Sequence, residues 1–229
     1  MEIDNILTIV VPVAFVALIV VVLVLARRAE QKRREALRQV AEQLGMEFAE
    51  QADELANAEF AQFHLFQQGR NRKAQNLLRG RVGTGHDREL VFDYCYVTGS
   101  GKNRHTHRQS VAAFALGGHG LPDFEFRPEN VLHKIGAAFG YQDIDFPDYP
   151  GFSSRYLVRG KEEDAVRRLF DGTVLEAFEN VRGISVEGGG GWLVIYRASR
   201  RLAPDKLADF LEEARRLRSA FARRAGSRV

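Results

Sequence analysis

The 229 residues carry 33 Lys and Arg against 30 Asp and Glu, a net charge of +3, with 45% hydrophobic residues and sixteen Phe. This composition excludes a disordered chain and supports a hydrophobic core of ordinary domain size. The single cysteine, Cys95, excludes an internal disulfide and fits a reducing compartment.

The chain opens on an apolar run. Ile6 to Ala26 is twenty-one residues without a charge, preceded by Glu2 and Asp4 and followed by Arg27, Arg28, Lys32, Arg33 and Arg34. As a helix it measures about 31 Å, enough to cross a hydrocarbon core of roughly 30 Å. A cleaved secretory signal needs a basic start, a shorter apolar run and a small-residue exit. Here the start is acidic and the exit reads Leu25-Ala26-Arg27-Arg28. Pro12 falls in the first two turns, where few helical hydrogen bonds are lost. Residues 6–26 are therefore read as a transmembrane helix, with Ile6, Leu7, Val10, Phe15, Leu18, Val22 and Leu25 in lipid. The basic residues after the span, with none before it, orient it. Residues 1–5 are expected outside, and residues 46–229 form a cytoplasmic domain on a single-pass protein of the plasma (inner) membrane. Arg27, Arg28, Lys32, Arg33 and Arg34 would lie at the headgroups.

Charge is unevenly spread. Residues 27–38 hold six basic and two acidic groups, and residues 215–229 hold six Arg and no acid, which leaves the body, 39–214, at −5. Both basic ends suit anionic lipid, at about 1 kcal/mol per basic group near the surface. Nucleic acid is not an expected partner, because no aromatic-interleaved basic strand accompanies the tails.

Residues 27–45 continue as a helical stalk. Ala36, Leu37, Val40, Ala41 and Leu44 recur at helical spacing, and Gly45 is a natural C-cap. The stalk either lifts the domain from the membrane or pairs with a protein partner or a second copy. A short stretch, Met46 to Gln68, follows, with an amphipathic piece carrying Phe60, Phe63, Leu65 and Phe66.

Strand patterns start after Asn71. Gln75 to Val82, Glu89 to Thr98 and Thr106 to Leu116 predict an antiparallel meander, with Gly83–Asp87 and Gly99–Asn103 as turns. In the second strand Phe92, Tyr94 and Tyr96 alternate with Val91, Asp93, Cys95 and Val97. A strand-turn-helix unit then recurs three times. Its strands are 124–128, 156–160 and 192–197, and its helices 129–139, 161–170 and 204–224. Gly183 to Glu187 pairs with the Trp192 strand as a hairpin. The last helix presents a stripe of Leu207, Phe210, Leu211, Ala214, Leu217 and Phe221, expected to pack on the sheet. The fold class is α+β: a transmembrane helix and stalk, then antiparallel sheet with helices packed on it.

Four stretches invite a chemical reading. Gly99-Ser-Gly-Lys102 lacks the upstream glycine of a phosphate loop, has Asn103 where Ser or Thr belongs, and leads to a strand, so it is a hairpin turn. His105 and His107 share a strand face, with Cys95 and His119 as further donors for zinc, but Lys102, Arg104 and Arg108 disfavour a cation. Asp143 and Asp145 offer paired carboxylates in an acidic loop. Cys95, mid-strand, lacks the exposed electropositive setting of a reactive thiol. No catalytic residue, metal ligand set or cofactor is assigned.

Gly80 through Leu116, Leu121–Phe124 with Arg127–Glu129, Asp143–Phe146, and Phe152–Tyr156 with Asp164–Arg167 and Leu169-Phe170 form an ordered set of short motifs. In these the chain resembles a family of uncharacterised prokaryotic single-pass membrane-anchored proteins. The resemblance covers about residues 60–200 and implies the anchored topology, with no activity attached. The favoured reading is a binding or scaffold domain at the membrane's cytoplasmic face. The alternative is a membrane-proximal enzyme using Asp143/Asp145 or His105/His107.

Overall fold

Helix α1, Glu2–Gln43, runs unbroken from the apolar stretch into the domain. The computed structural model describes residues 2–53, 58–81, 88–116, 120–129 and 143–226. Its apolar part, from Val11 to Leu25, is exposed on every side and long enough to cross a membrane by length and composition. The helix ends where expected. Gly45 takes φ +66°, and Met46 N–H reaches back to the Ala41 carbonyl at 2.8 Å, a glycine-terminated cap.

Eight strands follow: β1 Glu47–Gln51, β2 Arg70–Arg81, β3 Arg88–Thr98, β4 His105–Ala115, β5 Phe124–Pro128, β6 Tyr156–Gly160, β7 Ser185–Gly189 and β8 Trp192–Tyr196. They form one antiparallel sheet in the order β1-β2-β3-β4-β8-β7-β5-β6. The helices between them are α2 His64–Gln67, α3 Pro150–Ser153, α4 Glu163–Leu169, α5 Gly172–Ala177 and α6 Leu207–Gly226. The fold is α+β, as the alternating and helical periodicities require. The predicted helix 129–139 and the turn 83–87 lie outside the described residues.

The sheet is covered on both faces. On one, α6 lays down Leu207, Phe210, Leu211, Ala214, Leu217 and Phe221, all buried. Phe126 is the centre of an aromatic cluster there, 4.5 Å from Tyr156, 4.6 Å from Phe178 and 5.4 Å from Phe152 between ring centroids. On the other face, Phe60, Phe63, Leu65 and Phe66 cap Phe92, Tyr94, Tyr96 and Trp192. The alternation in β3 therefore divides its side chains as the sequence indicates. From the 46–68 stretch it is the aromatic and aliphatic side chains Phe60, Phe63, Leu65 and Phe66 that close this second core.

The stalk does not stand clear of the domain. Leu37 and Ala41 are each 1% exposed and belong to the core with Leu78, Val91 and Ala112. Arg38 lies over the Phe48 ring, Arg34 reaches Glu50, and Glu30 meets Gln75, which pairs with Gln51. Helix α1 and strand β1 thus run side by side in opposite directions.

Candidate functional site

Where α1 first meets the sheet, it is held by a buried ionic cluster. Asp93, on β3, accepts from Arg33 Nε and Nη2, both at 2.8 Å. It also accepts at 3.0 Å each from Arg201 Nε, Asn76 Nδ2 and Ser110 Oγ. Arg33 donates further to the Leu202 carbonyl at 2.7 Å, and Arg201 grips Glu30 at 2.7 and 2.9 Å. Asn76 reaches the cluster because β2 shifts register between Gln75 and Leu78, with Asn76 at φ +56°. Asn tolerates that left-handed conformation better than most residues.

Burial opposes ionisation of Asp93, but the Arg33 hydrogen bond and charge, then Arg201 and Asn76, outweigh it and hold the carboxyl below its ordinary pKa. Glu30 is likewise lowered: burial raises it, and bonds from Arg201 and Asn76 prevail. With five donors on one carboxylate, Asp93 has no lone pair left to act as a base. The cluster is a clamp joining α1, β2, β3, β4 and the Arg197–Leu202 segment.

A second polar centre lies on the opposite face. Glu187, on β7 and 2% exposed, accepts from Tyr196 Oη at 2.8 Å and Leu65 N–H at 3.1 Å. Burial pushes its pKa up, against the Arg127 charge and these hydrogen bonds. Arg127 pairs with Glu125 and hydrogen-bonds His64 Nδ1. Gln68 links His64 at 3.2 Å to Tyr96 Oη at 2.6 Å, and burial raises the Tyr96 phenol to about 12. Beside this group a cavity of about 140 Å³ is lined by His64, Asp123, Glu125, Lys161 and Glu187. Ligand pockets usually run to roughly 300–1,000 Å³, so this space suits water better than a metabolite or an acyl chain. A second, open groove of about 580 Å³ passes Arg155, Arg182, Arg197 and Arg200.

The residues expected to carry chemistry are scattered. Asp143 is exposed and pairs with Arg159 at 2.6 Å. Asp145 is exposed too, and its backbone carbonyl accepts from Arg167 at 2.6 Å. Between and after them Ile144 and Phe146 point into the core, so the acidic loop is anchored by its apolar members. His105 is exposed. His107 stacks on Tyr96 at 4.7 Å and shares hydrogen bonds of 2.8 Å with Thr98 and Ser199. Burial, then His105, lowers its pKa. Cys95 pairs with Arg108 while His107 pairs with Tyr96, so the thiol and the imidazole lie on opposite sides of the sheet. Burial raises the thiol pKa despite Arg108 and Lys73 nearby. His119 lies outside the described residues. Among the described residues, no three His, Cys, Asp or Glu side chains are placed to share a metal.

The basic collar divides. Arg27, Arg28 and Lys32 are exposed; Arg33 turns inward to Asp93 and Arg34 to Glu50 at 3.0 Å, because the helix faces the sheet from residue 30 onward. Phe15, Leu18, Val22 and Leu25 are exposed, while Ile6, Leu7 and Val10 have side chains outside the described set. The arginines of α6 up to Arg223 do not return to the anchor. Helix α6 starts beside Leu202 at the clamp and runs away from it, and Arg215 pairs with Glu89 at 2.6 Å, level with Gly80 and Met46.

Asp93, Arg201, Glu30, Glu187 and Arg127 were not picked out by motif. For Asp93, Glu187 and Arg127 the sequence signal is a charge inside an apolar strand, as in LVFDYCY and SVEGG; Glu30 and Arg201 carry no such signal.

What the architecture defines is an antiparallel sheet clamped rigidly to a long, partly apolar N-terminal helix. No family model and no curated protein matches the sequence. Among solved structures, the chain is similar in fold to the crystal structure of the mycobacterial trehalose monomycolate transport factor A, TtfA. The TM-score is 0.59 at 13% identity, over 82% of this chain and 92% of that one.

Proposed function

We propose that this chain is a single-pass, non-enzymatic scaffold of the membrane, with its domain on the cytoplasmic face. The observation that carries the reading is the run Val11–Leu25, apolar and exposed on every side, continuous with a helix that the domain grips from Glu30. A helix apolar all round needs an apolar surround, and none of the described residues supplies one. The fold likeness to a mycobacterial transport factor supports an accessory role at the membrane, and the motif resemblance to prokaryotic membrane-anchored proteins points the same way. Partners engage the domain itself, since α1 spends its stalk face on the sheet rather than on a second helix.

Two measurements test this. The full chain should stay with membranes through alkaline carbonate extraction, and a reporter fused at Val229 should report the cytoplasm. Release by carbonate would remove the anchor, and an extracytoplasmic reporter signal would invert the topology. A second reading, a membrane-proximal enzyme, finds support only in the His64–Glu187 cavity. Replacing Glu187 by Gln with no change in a deletion phenotype would end it.

A further inference from the structure

The clamp fixes which edge of the domain faces the bilayer. Helix α1 makes its first contact with the sheet at Glu30, four residues after Ala26, or about 6 Å along the axis. Strand β1 runs beside α1 in the opposite sense, toward the span, as shown by Arg38 over Phe48, Arg34 on Glu50 and Glu30 on Gln75. The sheet is antiparallel, so β3 and β8 also run toward the span, and β2 and β4 away from it. The start of β2, the β3–β4 hairpin and the end of β8 therefore share the membrane-side edge. One step beyond Asp93, about 7 Å along β3, Cys95 is flanked in register by Lys73 and Arg108.

That edge is basic. Arg70, Lys73, Lys102, Arg104, Arg108 and Arg200 are all exposed. No acidic residue occurs in 69–79 or in 99–108. Nearby, Asp53 is engaged by the Ala74 N–H at 2.8 Å. The turn that presents Lys102 and Arg104 is stiff. Gly99 has φ +69°, where a side chain would strike the Asn103 carbonyl, and Asn103 N–H closes back on Ser100. A rigid basic tip within headgroup reach of a short, clamped helix complements an anionic surface, where each such group contributes on the order of 1 kcal/mol.

We propose that the β3–β4 hairpin tip, with Arg70, Lys73, Arg108 and Arg200, is the domain's docking surface for anionic phospholipid headgroups. The arginines up to Arg223 of α6, a helix that runs away from the clamp, are not. This rests on the anchored reading above.

The test uses the full chain in nanodiscs of phosphatidylcholine, with or without phosphatidylglycerol, and follows amide exchange over residues 99–104. Exchange should be roughly fivefold slower in the anionic discs. The variant K102E/R104E should lose that difference, and R79E/R216E, with the same charge change at distal positions, should keep it. Slow exchange in the β3 core, read in the same spectra, shows that each variant is folded; K102Q/R104Q replaces the reversal if it is not. Equal exchange in both disc types, or equal loss in both variants, overturns the proposal. So does protection by a short RNA in neutral discs that matches protection by anionic lipid, which would make the edge a nucleic-acid surface. Carbonate extraction of the same preparation reports the anchor independently: a retained chain with an indifferent hairpin sinks this inference alone.

Discussion

Two buried carboxylates have opposite consequences for stability. Asp93 is held ionised, its pKa lowered. Its contribution is complete above the ordinary Asp value of about 3.9 and is lost as pH falls through the lower folded value. Asp93→Asn leaves Arg33 without its anion and Arg201 with Glu30 alone. It should cost about 3 kcal/mol in urea unfolding at pH 7 and flatten the acid limb of the stability profile. Glu187 is the reverse. Its raised pKa means the folded state holds a proton that the unfolded state releases, so stability falls as pH rises from about 4.3 through the folded value. Glu187→Gln keeps an acceptor for Tyr196 and Leu65 and should remove that decline. An unchanged decline in stability above pH about 4.3 would show that Glu187 is not what titrates.

Helix α1 belongs to two environments at once. From Val11 to Leu25 its side chains are apolar and face outward, and its last three turns supply Leu37 and Ala41 to the core. Leu37→Ala should destabilise the domain by about 2–5 kcal/mol, as for other fully buried leucines. A fragment beginning at residue 46 loses Leu37, Ala41 and Arg33 together. It should melt well below one beginning at residue 28, and equal melting temperatures would mean that the helix only rests on the sheet. Strand β1, by contrast, was invisible in the sequence. Its residues EFAEQ are mostly exposed, and it exists through backbone pairing with β2, which no side-chain alternation records. The polar start of β2, RNRKA, was missed for the same reason, whereas β3, β4, β5 and α6 announced themselves because a buried face imposes a period.

At the scale of the whole molecule, the clamp would turn the proposed anchor into a fixed height above the membrane. Helix α1 is continuous from the apolar run to the sheet, so on the anchored reading the four residues from Ala26 to Glu30 set the distance from lipid to hairpin. A seven-residue helical insertion between Arg28 and Ala29 keeps the helical phase and lifts the domain by about 10 Å. That is about one Debye length at physiological salt, so hairpin protection by anionic discs should disappear while the melting temperature of the domain stays unchanged. Persistent protection would mean that the hairpin does not depend on the clamp for its position.

The sequence by itself determined the apolar run, its basic flank, the order of the main strands and the stripe of α6, because each is a local pattern of charge or period. Only the tertiary structure decided where the charges go. Arg33 and Asp93 are sixty residues apart, and Arg201 and Asp93 more than a hundred. No spacing in the chain foretells that a collar arginine turns inward, that the stalk is core, or that α6 runs away from the clamp while the β3–β4 hairpin lies on the side toward the apolar run. Those outcomes follow from desolvated ion pairs formed between distant segments, and such pairs exist only once the sheet has brought the segments together.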